Sequence, residues 1–447
     1  MVTTVTGGET SAILIRAGRG LEWKVLMVVD SRISGFYKLT REQRARKLAE
    51  LAGLSDDEIG ALANPGRVDM EILDHMIENV VGAMTLPIGI ATNFLVDGKD
   101  YLIPMAIEEP SVVAAASNAA RMARDLGGFT ATDTGPLMIA QVQAVGVPTP
   151  FAAKQQVLKA RDEILSLANA QDPVLVRFGG GAKDLRVRVI DSHIGPMLIT
   201  ELIVDVRDAM GANAVNTMAE AVAPLVERLT GGKVLLRILS NLADLRIVRA
   251  TATFDKELLG GDEIVDGIIA AWAFAEADPY RCATHNKGIM NGVDAVVIAT
   301  GNDFRAIEAG AHSYAAVGGY SSLTKYEKRK DGHIIGTIEI PMAVGLVGGA
   351  TKIHPTARTC VRILGVKTAL ELGHVIASVG LAQNLAALRA LVAEGIQKGH
   401  MALHARNVAA TAGAKGELID VIADRLVKEK NVRVERAKEI LAELKRD

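Results

Sequence analysis

The sequence predicts a mixed α/β (α+β) protein of several folding units, on three observations. Strand-like alternation and amphipathic helical periods interleave along most of the 447 residues. Between Leu137 and Leu239 they follow the order β-α-β-β-α-β. After Gly399 the pattern changes to charged, amphipathic helices. The length itself fits two to four domains of roughly 100–200 residues.

Residues 1–30 carry Gly7-Gly8, Gly18 and Gly20 with no sustained period and are expected to form a loosely attached extension. At Thr40-Arg41-Glu42-Gln43 a capping box opens a helix to Leu51, and Ser55-Asp56-Asp57-Glu58 repeats the device. A third helix is expected from Met70 to Val81. Tyr101–Ile107 reads as a strand, and an Ala-rich helix follows Ser111. From Leu137 the pattern sharpens. Strand Leu137–Val145, a helix from Pro150 to Ala170, strand Leu185–Ile190, strand Met197–Val206, a helix from Ala214 to Leu229 and strand Lys233–Leu239 follow in turn. This is the split unit of ferredoxin-like folds and not a doubly wound half, so a dinucleotide site here would not be the usual one.

From Ala250 to Ala393 strands and helices mix, with Gly-rich loops at Gly318-Gly319 and Gly345–Gly349. Ala295–Thr300 reads as an apolar strand and Ser378–Ala393 as a buried helix. Gly416–Lys430 and Val432–Lys445 are two charged amphipathic helices, a lid or interaction unit more than core.

Lys+Arg total 50 against Asp+Glu 52, a net charge of −2, which supplies no global field for nucleic acid or anionic lipid. The two cysteines, Cys282 and Cys360, allow neither a CxxC motif nor a disulfide framework. No signal-peptide pattern opens the chain, and the apolar runs are short beside the ~20 residues a membrane span needs. A soluble, cytoplasmic protein is the expectation. Gly179-Gly-Gly-Ala-Lys-Asp184 fails GxGxxG, and Gly345–Lys352 fails the P-loop because Ala350 stands where Gly is required. No HExxH, GxSxG or zinc-type cluster appears, so metal, ATP and serine-hydrolase chemistry lose support.

Polar residues in Gly-flanked segments remain. Glu108-Glu109 ends a strand before a helix; paired carboxylates there raise each other's pKa, as a general acid requires, or simply offset the helix N-terminus. Thr284–Gly288 reads as a polar loop whose Lys287 shares with Asp303 either an oxyanion-stabilising site or a surface ion pair. His400, at the boundary with the charged helices, is a mobile acid or a structural cap. Asp208–Asn213 joins a strand to a helix, either to let backbone approach a phosphate or as a plain connection.

Together these segments resemble one family, hydroxymethylglutaryl-CoA (HMG-CoA) reductase, in its soluble class II branch. The resemblance rests on Glu78-Asn-Val-Val-Gly82, Ala106-Ile-Glu-Glu-Pro-Ser111, Asp205-Val-Arg-Asp-Ala-Met-Gly-Ala-Asn213, Asp278-Pro-Tyr-Arg281, Thr284-His-Asn-Lys-Gly-Ile-Met-Asn-Gly292, Ala299-Thr-Gly-Asn-Asp303 and the stretch from Glu394 to Arg406. It covers about residues 31–447. It implies a large α/β domain at 31–136 and 245–395, an inserted ferredoxin-like NAD(P)-binding domain at 137–244, a helical C-terminal flap at 396–447 and an N-terminal extension at 1–30. The implied reaction interconverts HMG-CoA with mevalonate and CoA by two nicotinamide hydride transfers, in the reductive direction for isoprenoid biosynthesis. The same catalyst run oxidatively, or a silent CoA-ester-binding relative, are the alternatives. A homodimer or higher homo-oligomer with sites between subunits is implied, with no nucleic-acid, membrane or metal partner.

By the same resemblance Lys287 stabilises the thioester and hemithioacetal oxygen, Asp303 holds Lys287, Glu109 exchanges a proton at the aldehyde stage and His400 protonates the departing thiolate. Ser111, Arg281 and Asn291 match HMG-binding positions; Asp208, Met210, Gly211 and Asn213 match the cofactor loop. Asp172 falls where NAD-preferring members carry an acid near the adenosine ribose, so NAD(H) is favoured with NADP(H) also admitted. Some members place Arg near the start of the fold to contact CoA, where this chain reads Phe36-Tyr37-Lys38, and no CoA residue is assigned there.

Overall fold

The computed structural model describes residues 2–7, 10–16, 23–28, 30–63, 69–393 and 396–444. Two sheets frame the site. The first runs Lys233–Leu239, Leu137–Val145, Met197–Asp205, Gly181–Ile190, antiparallel throughout. Numbered within the unit that order is 4-1-3-2, the ferredoxin-like arrangement expected from the strand pattern. Helices Pro150–Lys159, Arg161–Asn169 and Ala212–Thr230 carry Val157, Ile164, Val215, Met218 and Val222 fully buried in this unit. Leu137 and Gly181 both lie opposite Asp205, so the strands end together where the Asp205–Asn213 turn leaves.

The second sheet has six strands in the order Thr324–Lys328, Ile334–Pro341, Ile247–Phe254, Phe129–Asp133, Ile88–Val96, Lys99–Ala106. Only the Ile88–Val96 and Phe129–Asp133 pair is parallel. The insertion leaves from Phe129–Asp133 and returns into its antiparallel neighbour Ile247–Phe254, with Asp133 opposite Val248. Entry and exit are therefore one strand spacing apart, and the ferredoxin-like unit is inserted without opening the sheet. Phe94, Phe129 and Phe254 pack together in the core, with Phe94 and Phe129 stacked at 5.5 Å.

Helices Val112–Arg124, Pro279–Ala299 and Ala369–Ala393 pack with this sheet. Ala369–Ala393 is long and apolar enough to cross a membrane, which the short apolar runs in the sequence do not suggest. Leu372, Val375, Ile376, Val379, Leu381 and Leu385 along it are wholly buried, so it is a core helix.

Other expectations are corrected. Residues 2–7, 10–16 and 23–28 form a three-stranded antiparallel sheet in place of a patternless extension. Ala12-Ile13-Leu14-Ile15 and Val25-Leu26-Met27-Val28 suit strands but are too short for periodicity to register. The third helix spans only Met70–Asp74, capped by Asp69. Thr284–Gly288 is no loop and Ala295–Thr300 no strand; both lie in or at the end of the helix Pro279–Ala299, started by the Asp278 cap and Pro279. Gly288 and Gly292 each cost that helix about 1 kcal/mol, which its buried Ile289, Met290, Val293 and Val296 offset. At the C-terminus Ile396–Thr411, Leu418–Lys428 and Val434–Leu444 enclose a separate small core around Ala405, Ile422, Leu426 and Ile440.

Candidate active site

Glu109 stands in the turn between Lys99–Ala106 and Val112–Arg124, and Lys287 and Asn291 are one turn apart on Pro279–Ala299. Lys287 Nζ donates to Glu109 Oε2 at 2.9 Å, and Asn291 Nδ2 donates to the same oxygen at 3.2 Å. The Lys287 side chain is 61% exposed and that of Glu109 33%, so a cation, a carboxylate and an amide meet on an accessible surface. Glu109 thus takes its charge partner from Lys287 and not from Glu108. Ser111, beside them, is held at φ 75 as N-cap of Val112–Arg124 without donating or accepting a capping bond. A left-handed serine is strained, and such strain concentrates at working sites. Arg281 lies in the first turn of the lysine helix, its backbone N–H donating to Asp278.

Asp303 is expected to hold Lys287, but here it caps Phe304–Ala315. Its Oδ1 accepts from the backbone of Arg305 and Ala306 and pairs with Arg305 at 3.3 Å. Three interactions on one oxygen leave Oδ2 without a partner among the described residues. The N-terminus of a helix draws a carboxylate, and that local attraction sets Asp303's rotamer.

Sequence reasoning missed a polar chain that starts one turn beyond Asn291. His312 bonds Glu308 and Tyr320, each at 2.9 Å. Burial and then Glu308 raise the Asp294 carboxyl above the usual carboxylate range, while His312 lowers Glu308. Asp294 lies one turn beyond Asn291, so this chain joins the helix of Lys287 to the helix that Asp303 caps. A lone Asp on an amphipathic helix carries no sign of that in sequence. His285, of the same motif as Lys287, is buried against Ser322 and Thr324; burial, then Arg281, holds it down to about 4.

The expected cofactor residues converge at the strand ends. Gly211, at φ 101, caps the 19-residue helix Ala212–Thr230 with no side-chain cap, which leaves its first backbone N–H groups available to an anion. Asn213 is exposed and Met210 half-buried beside it. Asp208 Oδ1 accepts from Ala369 N at 2.7 Å, so one of its oxygens starts the core helix of the large domain. Asp172 caps Pro173–Arg177 through Leu175 N at 2.8 Å. Leu175 packs against Gly180, which abuts the Asp205 carbonyl, so the turn of Asp172 neighbours the Asp205–Asn213 turn. The uncapped helix N-terminus and the Gly-containing turn supply backbone donors that fit a diphosphate, and the segment Asp172 caps borders that turn through Leu175 and Gly180. His400 lies in the helix Ile396–Thr411, but its side chain is outside the described residues.

Arg246 was not singled out in the sequence. It is 1% exposed and donates to the carbonyls of Ala209, Met210 and Val344. Burial brings its guanidinium down to about 10, opposed by Asp208, Asp205 and Asp133, so it stays charged at neutral pH.

The family model described as hydroxymethylglutaryl-coenzyme A reductase matches residues 40–405. A 3-hydroxy-3-methylglutaryl-coenzyme A reductase of Archaeoglobus fulgidus is 62% identical over 94% of this chain and 97% of its own length. The Streptococcus pneumoniae enzyme superposes with TM-score 0.79 at 40% identity, covering 92% of this chain and 99% of that one. A second S. pneumoniae structure, described as class II and bound to NADPH in open conformations, gives TM-score 0.78 at 41% identity over 80% and 99% of the two chains. The chain belongs to the hydroxymethylglutaryl-coenzyme A reductase family and is an oxidoreductase of its class II branch.

Proposed function

We propose that the protein reduces HMG-CoA to mevalonate and CoA with two equivalents of reduced nicotinamide, NADH preferred, in the cytoplasm. The observation that carries this is the Lys287–Glu109–Asn291 cluster, with Ser111 and Asp303 on adjoining elements. Lys287 is a fixed cation for the oxygen of the thioester, then of the hemithioacetal and aldehyde. Glu109, 2.9 Å from it, exchanges a proton at the carbonyl as the aldehyde is reduced. Oδ2 of Asp303, without a partner among the described residues, is the oxygen that takes Lys287 when Glu109 turns to substrate. Ser111 and Arg281 bind the HMG portion, and Asn291 keeps Glu109 oriented. His400, on the flap, protonates the thiolate of CoA. The Asp205–Asn213 turn would hold the dinucleotide, which when bound would supply hydride for the carbonyl carbon.

NADH preference rests on Asp172. A carboxylate beside the adenosine ribose accepts from its hydroxyls and repels a 2′-phosphate. The relative bound to NADPH supports use of both cofactors. The relatives are named reductases, which supports the reductive direction. A homodimer with shared sites is proposed from the surface: Ile77, Val81, Met84 and Tyr280 are 66%, 100%, 86% and 88% exposed, and an open catalytic cluster needs a further wall.

The test is the near-ultraviolet absorbance of reduced nicotinamide, followed with NADH and HMG-CoA and then with NAD, mevalonate and CoA. Turnover with HMG-CoA is expected. No change in either assay would sink the enzymatic reading, and turnover only in the second would reverse the direction.

A further inference from the structure

We infer that Arg246 is a positioning residue for the nicotinamide site, mounting the Asp205–Asn213 turn on the unit that carries Asp303 and Lys287. The inference rests on the reading of that turn as the cofactor loop.

Arg246 lies just before the strand Ile247–Phe254, where the chain re-enters the large domain. One amino group reaches into the inserted domain, Nη1 donating to Ala209 O at 3.1 Å and Met210 O at 3.3 Å. The other, Nη2, donates to Val344 O at 2.5 Å in the large domain. Among the described residues no carboxylate lies within hydrogen-bond distance and Nε has no partner. A buried cation solvated by carbonyls is a poor choice for packing alone, since an apolar side chain of similar volume avoids its desolvation. The fork is suited to one task, holding three carbonyls of two domains at fixed separations.

Val344 begins a strip that continues this linkage. Gly345 N donates to Asn302 Oδ1 at 2.8 Å, next to Asp303. Leu346 N donates to Asp208 O at 2.8 Å, and Ala209 and Val347 form a parallel bridge. A Cβ at Gly345 would stand 2.4 Å from Met210 N, so only glycine lets the strip lie against the turn. Cofactor turn, Arg246, Val344–Val347, Asn302 and Asp303 are thus in unbroken contact. The spacing of nicotinamide from the catalytic cluster is set through this connection.

The full-length enzyme is assayed as Arg246→Met, Arg246→Lys and Gly345→Ala, with kcat, KM for each substrate, NADH binding by fluorescence and Tm. Arg246→Met is expected to raise the KM and Kd for NADH by about tenfold or more while the KM for HMG-CoA stays within about twofold. Arg246→Lys, which keeps the charge and some of the donors, recovers part of that loss. Gly345→Ala, which keeps the arginine and displaces the strip, shows the same selectivity and decides the matter should Arg246→Met not fold. Both KM values rising together, a fall in Tm with NADH binding unchanged, or a lysine variant no better than methionine would overturn the inference. Failure of the cofactor reading itself appears in the parent, as turnover or NADH binding that is absent before any substitution.

Discussion

Lys287→Ala separates the two contributions of one side chain. Its pair with Glu109 is short, 2.9 Å, but 61% and 33% exposed on its two sides. Solvent screens such a pair, and its net worth to stability is about 0–1 kcal/mol. Alanine also suits the middle of Pro279–Ala299 at least as well as lysine. For a large domain 1 kcal/mol moves Tm by about 2–4 °C, so Tm should hold to within about that interval. In the proposed mechanism the same ammonium faces developing negative charge on the substrate oxygen, and losing one such group costs about 10²–10³ in kcat, or about 2.7–4 kcal/mol. A near-silent change in the thermal melt should therefore accompany near-loss of turnover in the nicotinamide absorbance assay. A kcat within tenfold of the parent, or a Tm that falls in step with activity, would refute the assignment.

His400→Gln should impair reduction of HMG-CoA far more than reduction of free mevaldehyde, because only the former expels a thiolate; equal losses would make His400 structural. Asp172→Ala should lower the ratio of kcat/KM for NADH over NADPH, since unit charges about 4 Å apart repel by about 4 kcal/mol at an effective dielectric of about 20, and a third of that is about tenfold. It should also cost about 1 kcal/mol as the lost cap of Pro173–Arg177, read in Tm; an unchanged cofactor ratio removes Asp172 from the ribose. His285 is held down to about 4 from 6.5, so the unfolded chain takes up its proton first as pH falls. The stability this preserves above about pH 6.5 is lost progressively towards pH 4, by about 3 kcal/mol. Tm should drop more steeply over that range in the parent than in His285→Gln, and parallel slopes would show that His285 does not govern it.

Features that neighbours in the chain decide were legible in the sequence. The capping box at Thr40 forms as written, Thr40 N to Gln43 Oε1 at 2.8 Å and Gln43 N to Thr40 Oγ1 at 3.2 Å. Leu137–Val145 and Lys233–Leu239 occupy the strands read from them, because alternation and flanking turn residues act over a few positions. The residues proposed for an oxyanion, a proton and a diphosphate could also be named, through the family resemblance of their motifs. Their partners could not. Lys287 and Glu109, 178 positions apart, meet only because a strand end and a helix face are packed together, while Asp303 is drawn to the helix it begins. The Pro279–Ala299 helix was hidden for a related reason: Gly288, Gly292 and its polar residues argue against a helix locally, and burial against the core overrides them. Arg246 is the extreme case, an arginine between Leu245 and Ile247 that nothing local marks as buried. Its environment consists of carbonyls at Ala209, Met210 and Val344, and only the tertiary structure brings those three together, since the distances that matter to a charge are through space and not along the chain.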